Sequence, residues 1–344
     1  MPVRTAVIVT SINPPTPSLH ALARGCRAAG FRFLLIGDTK SPADFALDGC
    51  EFLSVAAQYE SGFAFARLCP TAHYARKNVG YLVAIRDGAQ LIVETDDDNL
   101  PRDAFFAARE RKLEVKALRN TGWTNVYGYF SDALIWPRGL PLAAVNAPRT
   151  PYVALPRATV DCPIQQGLAD ANPDVDAIYR LLLPLPQSFR VDRRIALGPG
   201  SWCPFNSQNT AWWPDAYALL YLPAYCSFRM TDIWRSFVAQ RIAAANGWHI
   251  LFHEPTVRQE RNDHDLMRDF ADEVPGYMHN EAIRAALEAT TVVPGADAIT
   301  DNLRRCYRAL VDMDVIAPPE LRLLDAWLAD LAVAQADARA EHVR

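Results

Sequence analysis

Three consecutive aspartates, Asp96, Asp97 and Asp98, follow a short apolar stretch of the chain, and Glu94 lies two residues before them. Adjacent carboxylates repel one another, so a fold keeps them together where a cation offsets the repulsion or where all of them stay in water. Oxygen ligands of this kind suit Mg²⁺ or Mn²⁺, and such ions commonly carry the phosphates of a nucleotide. The alternative interpretation is a solvated acidic turn that caps the following helix.

The residues before the aspartates predict where these carboxylates lie. Apolar side chains in 74–87 recur at the spacing of a helix face, Gly88 predicts a turn, and 91–93 predicts a buried strand. Ligands bind at the carboxyl ends of strands in open α/β sheets, so this position favours the cation. Arg76 and Lys77 stand at the start of the helix, where basic residues are slightly unfavourable against the helix dipole but would bind a diphosphate.

The first hundred residues alternate strand and helix patterns, which implies a parallel sheet with right-handed connections. Ser18 is expected to cap a helix that ends at Gly30. The predicted strands are 5–12, 31–36, 51–55 and 91–93. The fold class is therefore α/β, with a Rossmann-like, mostly parallel sheet.

The remainder of the chain is different in character. Residues 120–230 are rich in Pro, Trp, Tyr and Asn and predict short strands at best, as expected of substrate loops over a rigid sheet. The predicted helices after this segment are 232–246, 281–290, 297–311 and 319–340. We expect one domain over residues 1–275, with a nucleotide-binding half (1–100) and a substrate half (101–275), and a C-terminal helical extension over 276–344.

Composition excludes several function classes. The 344 residues carry a net charge of -4, which gives no basic surplus for nucleic acid. No apolar run approaches the ~18 residues needed to span a bilayer. Seven scattered cysteines show no metal-ligand spacing and favour a reducing compartment, so a cytoplasmic protein is expected. Only four of the 35 basic residues are lysines, an arginine bias typical of a GC-rich, bacterial genome.

Other carboxylate-based sites fit the sequence less well. In an EF-hand loop beginning at Asp96, the glycine and glutamate positions would be Pro101 and Ala107. A haloacid-dehalogenase phosphatase has its DxD motif after the first strand, whereas here the aspartates follow the fourth. The chain contains no P-loop, GxGxxG, HExxH or GxSxG motif.

The segment Ala75-Arg-Lys-Asn-Val-Gly80, followed by Gly88 and Asp96-Asp-Asp98, resembles the family-2 pattern of GT-A glycosyltransferases. In that fold, a nucleotide-binding sheet ends at a DxD motif. The metal held there bridges the diphosphate and stabilises the leaving nucleotide.

A second set of segments spans most of the chain: 9–16, 74–81, 94–99, 166–176, 204–210, 232–235 and 261–265. In their order and residues these blocks resemble the STELLO proteins, glycosyltransferase-like domains akin to the reversibly glycosylated polypeptides, which are UDP-arabinopyranose mutases. The resemblance implies a metal-dependent glycosyltransferase that uses Mn²⁺ (or Mg²⁺) and a nucleotide sugar, expected to be UDP-linked, with a glycan or small-molecule acceptor. A UDP-sugar mutase and a non-catalytic nucleotide-sugar-binding or scaffold protein remain alternatives.

The resemblance assigns roles at the donor side of the site. The expected metal ligands are Asp96, Asp98 and His264, with His253 as the competing histidine. The residues expected to bind the nucleotide are Thr10, Ser11, Asp38, Arg76, Lys77, Asp96 and Asp97. Thr10, Ser11 and Asp38 are also explained as ordinary turn residues after strands.

At the acceptor side, Asp232 stands at a predicted helix start. An N-cap is a sufficient structural account, whereas inverting GT-A enzymes place there the base that deprotonates the acceptor hydroxyl. The amides of Asn206, Gln208 and Asn209 would bind sugar hydroxyls or form a polar turn. Trp234 would stack on a sugar ring or belong to the core.

Overall fold

The computed structural model describes residues 3–119, 122–260, 262 and 265–342. Its strands are β1 (Thr5–Thr10), β2 (Arg32–Ile36), β3 (Glu51–Leu53), β4 (Leu91–Thr95), β5 (Asn99–Pro101), β6 (Lys112–Leu118), β7 (Gly122–Trp123), β8 (Arg157–Asp161), β9 (Ile164–Asp170), β10 (Arg194–Leu197), β11 (Ser201–Trp202), β12 (Asn209–Trp212) and β13 (Ile250–Gln259). Its α-helices are α1 (Pro17–Ala29), α2 (Val55–Glu60), α3 (Ala64–Leu68), α4 (Lys77–Arg86), α5 (Tyr127–Phe130), α6 (Ala177–Leu182), α7 (Thr231–Ala245), α8 (Leu266–Ala289), α9 (Ile299–Asp312) and α10 (Pro319–His342).

The N-terminal half is a parallel sheet in the order β3-β2-β1-β4. Alternate residues of β1 face opposite sides because side chains alternate along a strand. Val7 and Val9 pack in the core beneath α1, and Ala6 and Ile8 pack in the core beneath α4. The helix α1 ends at Gly30 (φ 71°), as predicted, but its N-cap is Thr16 rather than Ser18.

Beyond β4 the sheet becomes mixed. β12 pairs antiparallel with both β4 and β9, and β9 pairs parallel with β13. β9 is seven residues long and buried throughout, so the expectation of short strands at best in 120–230 is wrong here. Its polar residues hide it from pattern analysis. Gln165 and Gln166 lie in the interior because their amides bond to the main chain at Glu110 and Gly167.

The C-terminal region is helical. α7, α9 and α10 begin and end within two residues of their predicted limits. α8 begins at Leu266, fifteen residues before its predicted start, and contains Pro275, a residue that usually interrupts a helix. The proposed division at 275/276 falls within α8 and remains a prediction. α10 packs against α4, the helix that precedes the acidic strand.

The α/β class is confirmed, with a Rossmann-like parallel half and C-terminal helices. Throughout the part of the chain that the structure describes, no helix is both long and apolar enough to cross a membrane.

Candidate functional site

A cavity of about 680 Å³ opens at the carboxyl ends of β1, β2 and β4. The first turn of α7 supplies part of its wall. Among the predicted site residues, the cavity is lined by Thr10, Ser11, Asp38, Arg76, Asp96, Asp97, Asp98, Gln208 and Asp232. The fold therefore brings the predicted donor and acceptor sides into one cavity.

Asp96 directs its carboxylate into this cavity, where 39% of the side chain is accessible. The ammonium of Lys77 is fully buried behind it and donates to Asp96 Oδ1 at 3.0 Å, to the Thr95 carbonyl and to the Ser207 carbonyl. Enclosure by the protein raises the pKa of Asp96 to about 7, assisted by the carboxylates of Asp98 and Asp97 and opposed by Lys77. One lysine thus compensates only part of the negative charge.

Asp97 is held by the loop that follows β1. Its Oδ2 accepts hydrogen bonds from the Ser11 hydroxyl and from Asn13 Nδ2, the latter at 2.9 Å. Its main-chain carbonyl accepts from Thr16 Oγ1 at 2.9 Å. Because Thr16 also caps α1, this aspartate ties the β4 turn to the start of that helix.

Asp98 is buried and bonds to the end of β13. Its Oδ2 accepts from Gln259 Nε2 at 3.1 Å and from the main-chain nitrogen of Asn262 at 3.4 Å. Its carbonyl accepts from the main-chain nitrogen of Glu260 at 2.8 Å. Asp98 therefore fixes the chain that leads to the Arg261–Asp265 block, in which the predicted ligand His264 lies outside the described residues.

Glu94, the fourth carboxylate of the acidic run, has a different environment. It is fully buried and forms an ion pair with Arg235 of α7, with Nη2 to Oε1 at 2.8 Å. The Tyr81 hydroxyl and Trp212 Nε1 also donate to it. Glu94 therefore joins α4, β4, β12 and α7 in the interior.

Asp38 and Arg76 line the cavity but bond mainly to neighbouring loops. The Asp38 carboxylate accepts from the main-chain nitrogens of Thr39, Ala72 and His73. The buried Arg76 guanidinium donates to Gln58 Oε1 and to the carbonyls of Cys69 and Ala66. Together they hold the segment before α4 against the end of β2.

Asp232 lies in the first turn of α7, whose N-cap is Met230, so Asp232 is not the cap. Its carboxylate accepts from Arg138 Nη2, at 3.1 Å for each oxygen, and from the main-chain nitrogen of Ser207 at 3.2 Å. Arg138 also forms a two-point ion pair with Asp174. Burial alone would raise the pKa of Asp174, but Arg138, Arg229 and the Asn206 amide lower it to about 2.

Aromatic side chains form another part of the wall. The His73 ring stacks on Tyr74, with centroids 5.6 Å apart, and both rings contact the edge or face of Phe228. His73 Nδ1 accepts from the main-chain nitrogen of Ala75, which leaves its proton on Nε2. Burial lowers the pKa of His73 to about 4, so the ring is neutral at pH 7.

The remaining predicted residues lie in the interior. Asn206 donates to Asp174, and Asn209 donates to the Leu168 carbonyl and to Thr256 Oγ1. Trp234 is buried and donates to Asn280 of α8. The competing histidine, His253, is buried in β13 and bonds to the Glu254 carbonyl.

Sequence reasoning missed Arg138, Asp174 and the aromatic wall. One signal for Arg138 was present, because it is the only charged residue between Asp132 and Arg149. An isolated charge in such an apolar segment requires a buried partner. The identity of that partner, 36 residues further along the chain, follows only from the fold.

The carboxylate oxygens at and beside Asp96 are suitable ligands for a hard divalent cation. Asp96 faces the cavity with the carboxylates of Asp97 and Asp98 beside it, and its ligand atoms are oxygens. Within residues 3–119, 122–260, 262 and 265–342, no group of three or more His, Cys, Asp or Glu side chains is arranged to hold a metal. Mg²⁺ commonly binds through one or two carboxylates plus substrate phosphates rather than in a complete protein cage.

Comparison with known proteins bears on this site. Residues 229–337, which include Asp232, match the family model described as STELLO glycosyltransferases. The probable glycosyltransferase STELLO2 of Arabidopsis thaliana is 27% identical over 351 residues, covering 94% of this chain and 44% of that protein. The probable glycosyltransferase STELLO1 of the same plant is 29% identical over 272 residues, covering 74% of this chain and 35% of that protein.

The chain is similar to the STELLO glycosyltransferases. It spans less than half the length of the curated relatives it matches. A crystal structure of a mycobacterial protein aligns with a TM-score of 0.42 and 9% identity, covering 82% of this chain and 74% of that one. The family-model match and the two STELLO relatives confirm the resemblance that the sequence blocks indicated.

Proposed function

We propose that this chain, which is similar to the STELLO glycosyltransferases, is a metal-dependent glycosyltransferase whose donor is a nucleoside diphosphate sugar, expected to be UDP-linked. The observation that carries the proposal is the position of Asp96 at the carboxyl end of a parallel strand, facing a 680 Å³ cavity beside Asp98. Mn²⁺ or Mg²⁺ held by Asp96 and Asp98 would stabilise the charge of the departing diphosphate.

The residues near β1 and β2 would bind the nucleoside. Thr10, Ser11 and Asp38 line this end of the cavity. Arg76 and Lys77 direct their donors to protein acceptors, so we assign them the task of holding the loop before α4 and the Asp96 carboxylate in place.

Asp232 would act at the acceptor side. In an inverting reaction, its carboxylate would take the proton of the acceptor hydroxyl while the oxygen bonds to the anomeric carbon and the nucleoside diphosphate leaves. The acceptor would be a glycan or a small molecule with a free hydroxyl. Asp232 is suited to this task because its carboxylate lines the cavity instead of capping α7.

Thermal unfolding in the presence of UDP, Mn²⁺, both, or both with excess EDTA tests the donor site. Because UDP alone would meet uncompensated carboxylates, stabilisation should require the metal, and a ligand at 100 times its Kd stabilises by about 2.7 kcal/mol. Equal stabilisation by UDP in EDTA would contradict the proposal.

A panel of nucleotide sugars with Mn²⁺ then tests the reaction. A glycosyltransferase releases the nucleoside diphosphate and transfers the sugar to water or to an added acceptor. Release of an isomerised nucleotide sugar would identify a mutase instead, and binding without turnover would identify a non-catalytic protein.

A further inference from the structure

We propose that Arg138 is a positioning residue that fixes the Asp232 carboxylate at the cavity by binding it together with Asp174. The inference rests on the proposed function in so far as Asp232 acts on the acceptor. All three side chains are nearly inaccessible, with exposed fractions of 6% for Arg138, 10% for Asp174 and 6% for Asp232.

The guanidinium makes two kinds of ion pair. Toward Asp174 it is bidentate, with Nε to Oδ1 at 2.8 Å and Nη2 to Oδ2 at 2.9 Å. Toward Asp232, a single nitrogen, Nη2, lies 3.1 Å from both carboxylate oxygens. The planar fork of arginine suits the bidentate pair, and Nη2, which carries two hydrogens, serves Asp174 and Asp232 at once. Asp174 therefore orients the guanidinium, and the guanidinium orients Asp232.

Arg138 is itself fixed relative to α7. Its Nη1 donates to the main-chain carbonyl of Arg229, just before that helix begins. The next residue, Gly139, has φ 87° and packs so closely that an added Cβ would lie 2.4 Å from Ile233 Cγ2. The turn that carries Arg138 thus lies directly against the helix that carries Asp232.

A single loop completes the environment of both carboxylates. Asn206 donates to Asp174 at 2.9 Å, and the adjacent Ser207 donates its main-chain N–H to Asp232 at 3.2 Å. Further ionisable groups lie near the two carboxylates. The Tyr74 hydroxyl accepts from the Asp232 main chain, and Arg235 and the Cys226 thiol also interact with Asp232. Arg229 pairs with Glu273 at 2.9 Å and helps to lower the pKa of Asp174. Arg138 bonds directly to both carboxylates, and both border the cavity.

The kinetic test compares Arg138→Ala with Arg138→Lys, using the Mn²⁺-dependent turnover of whichever nucleotide sugar the wild type consumes. Misplacement of Asp232 should lower kcat roughly 10²-fold. The KM for the donor should change little, because Asp96 and Asp98, the carboxylates proposed to bind the donor through the metal, are unchanged. Millimolar guanidinium ion should restore at least part of kcat in Arg138→Ala. The kcat of Arg138→Lys should stay below that of the wild type, since a lysine ammonium cannot bind both carboxylates in the way that a guanidinium does.

Arg304→Ala is the matched control, because Arg304 is a half-exposed arginine that pairs with Asp301 and Asp325 on the C-terminal helices. Guanidinium should have no effect on its turnover. Undiminished kcat in Arg138→Ala, or a loss in a folded variant that guanidinium does not restore, would overturn the proposal.

A double-mutant cycle tests the inference without an activity assay. It applies if Arg138→Ala is poorly folded, and also if the wild type turns over no nucleotide sugar. Only the second result would contradict the proposed function itself. Arg138→Met leaves two carboxylates without their cation, so adding Asp232→Asn should raise its urea midpoint. Additive destabilisation by the two substitutions would show that Arg138 does not hold Asp232.

Discussion

Two groups of carboxylates line the same cavity and differ in how their charge is balanced. Asp96, with Asp97 and Asp98 beside it, faces one buried lysine, and its pKa is raised to about 7. Asp174 and Asp232 share the guanidinium of Arg138, and the pKa of Asp174 is lowered to about 2. The first group is suited to receive a cation, whereas the second is already paired with a cation that the protein supplies.

This difference explains why similar residues have different tasks in one site. A carboxylate cluster with too little positive charge gains stability when a divalent ion binds. A carboxylate already paired with a buried arginine gains little from such an ion and would lose a well-placed partner. The metal is therefore expected on the β4 side of the cavity, and proton transfer on the α7 side.

The largest expected effect comes from Asp96→Asn. Removing the carboxylate that faces the cavity should abolish metal-dependent stabilisation by UDP, while the apo protein stays folded because crowding of like charges decreases. Thermal unfolding with UDP and Mn²⁺ measures this. Asp48→Asn is the control, since Asp48 is a surface acid with 89% of its side chain exposed. A variant at position 96 that retains the full Mn²⁺-dependent shift would show that these aspartates form only a solvated turn.

Glu94→Gln sharpens the comparison because Glu94 lies on β4, just before the three aspartates, but its charge is balanced by the ion pair with Arg235. Its substitution leaves the buried Arg235 guanidinium without a counter-charge, and breaking a buried ion pair costs about 3–5 kcal/mol. Urea unfolding should reveal that loss, whereas the Mn²⁺ affinity of the folded variant should stay within about threefold of wild type, since Glu94 does not border the cavity. A large loss of Mn²⁺ affinity at unchanged stability would place Glu94 among the metal ligands instead.

The parallel half was predictable from sequence because its strands are short apolar runs separated by helices with clear ends. The central strand β9 was not, because its buried amides, including Gln165 and Gln166, give no apolar pattern. The full length of α8 was also hidden, since Pro275 lies inside it. Local patterns report burial of apolar side chains, and they fail where hydrogen bonds make polar burial possible.

The site was predictable to a similar extent. The position of the cavity at Asp96–Asp98 was predictable because these carboxylates are contiguous in the sequence. Its internal division was not visible, since Glu94 and Asp96 are two residues apart and yet one is in an ion pair with Arg235 while the other faces the cavity. Arg138 and Asp174 come together only through the fold. The same is true of the acceptors that bind the N–H groups of Arg76, which lie on Gln58, Cys69 and Ala66.

The smallest expected effect is a pH dependence that separates the two groups. Asp96 has a folded pKa of about 7, above its ordinary 3.8, so the folded state binds this proton more tightly. The resulting stability is present at low pH and is lost as pH rises through about 7. Asp174 has a folded pKa of about 2, so its contribution is present above 3.8 and is lost only as pH falls toward 2. Between pH 5 and 7, therefore, Asp96 should titrate and Asp174 should not, while Asp176, whose pKa burial raises to about 6, should add a second slope that does not depend on metal. In EDTA, the free energy of unfolding of the wild type should decrease as pH rises over this interval. Without EDTA, Mn²⁺ binding should strengthen by about tenfold per pH unit, because the metal displaces the proton.

Urea unfolding in EDTA and calorimetric titration with Mn²⁺ alone measure the two effects. Asp96→Asn should reduce the EDTA slope to the part that Asp176 contributes, and an unchanged slope in that variant would assign the titration to another group.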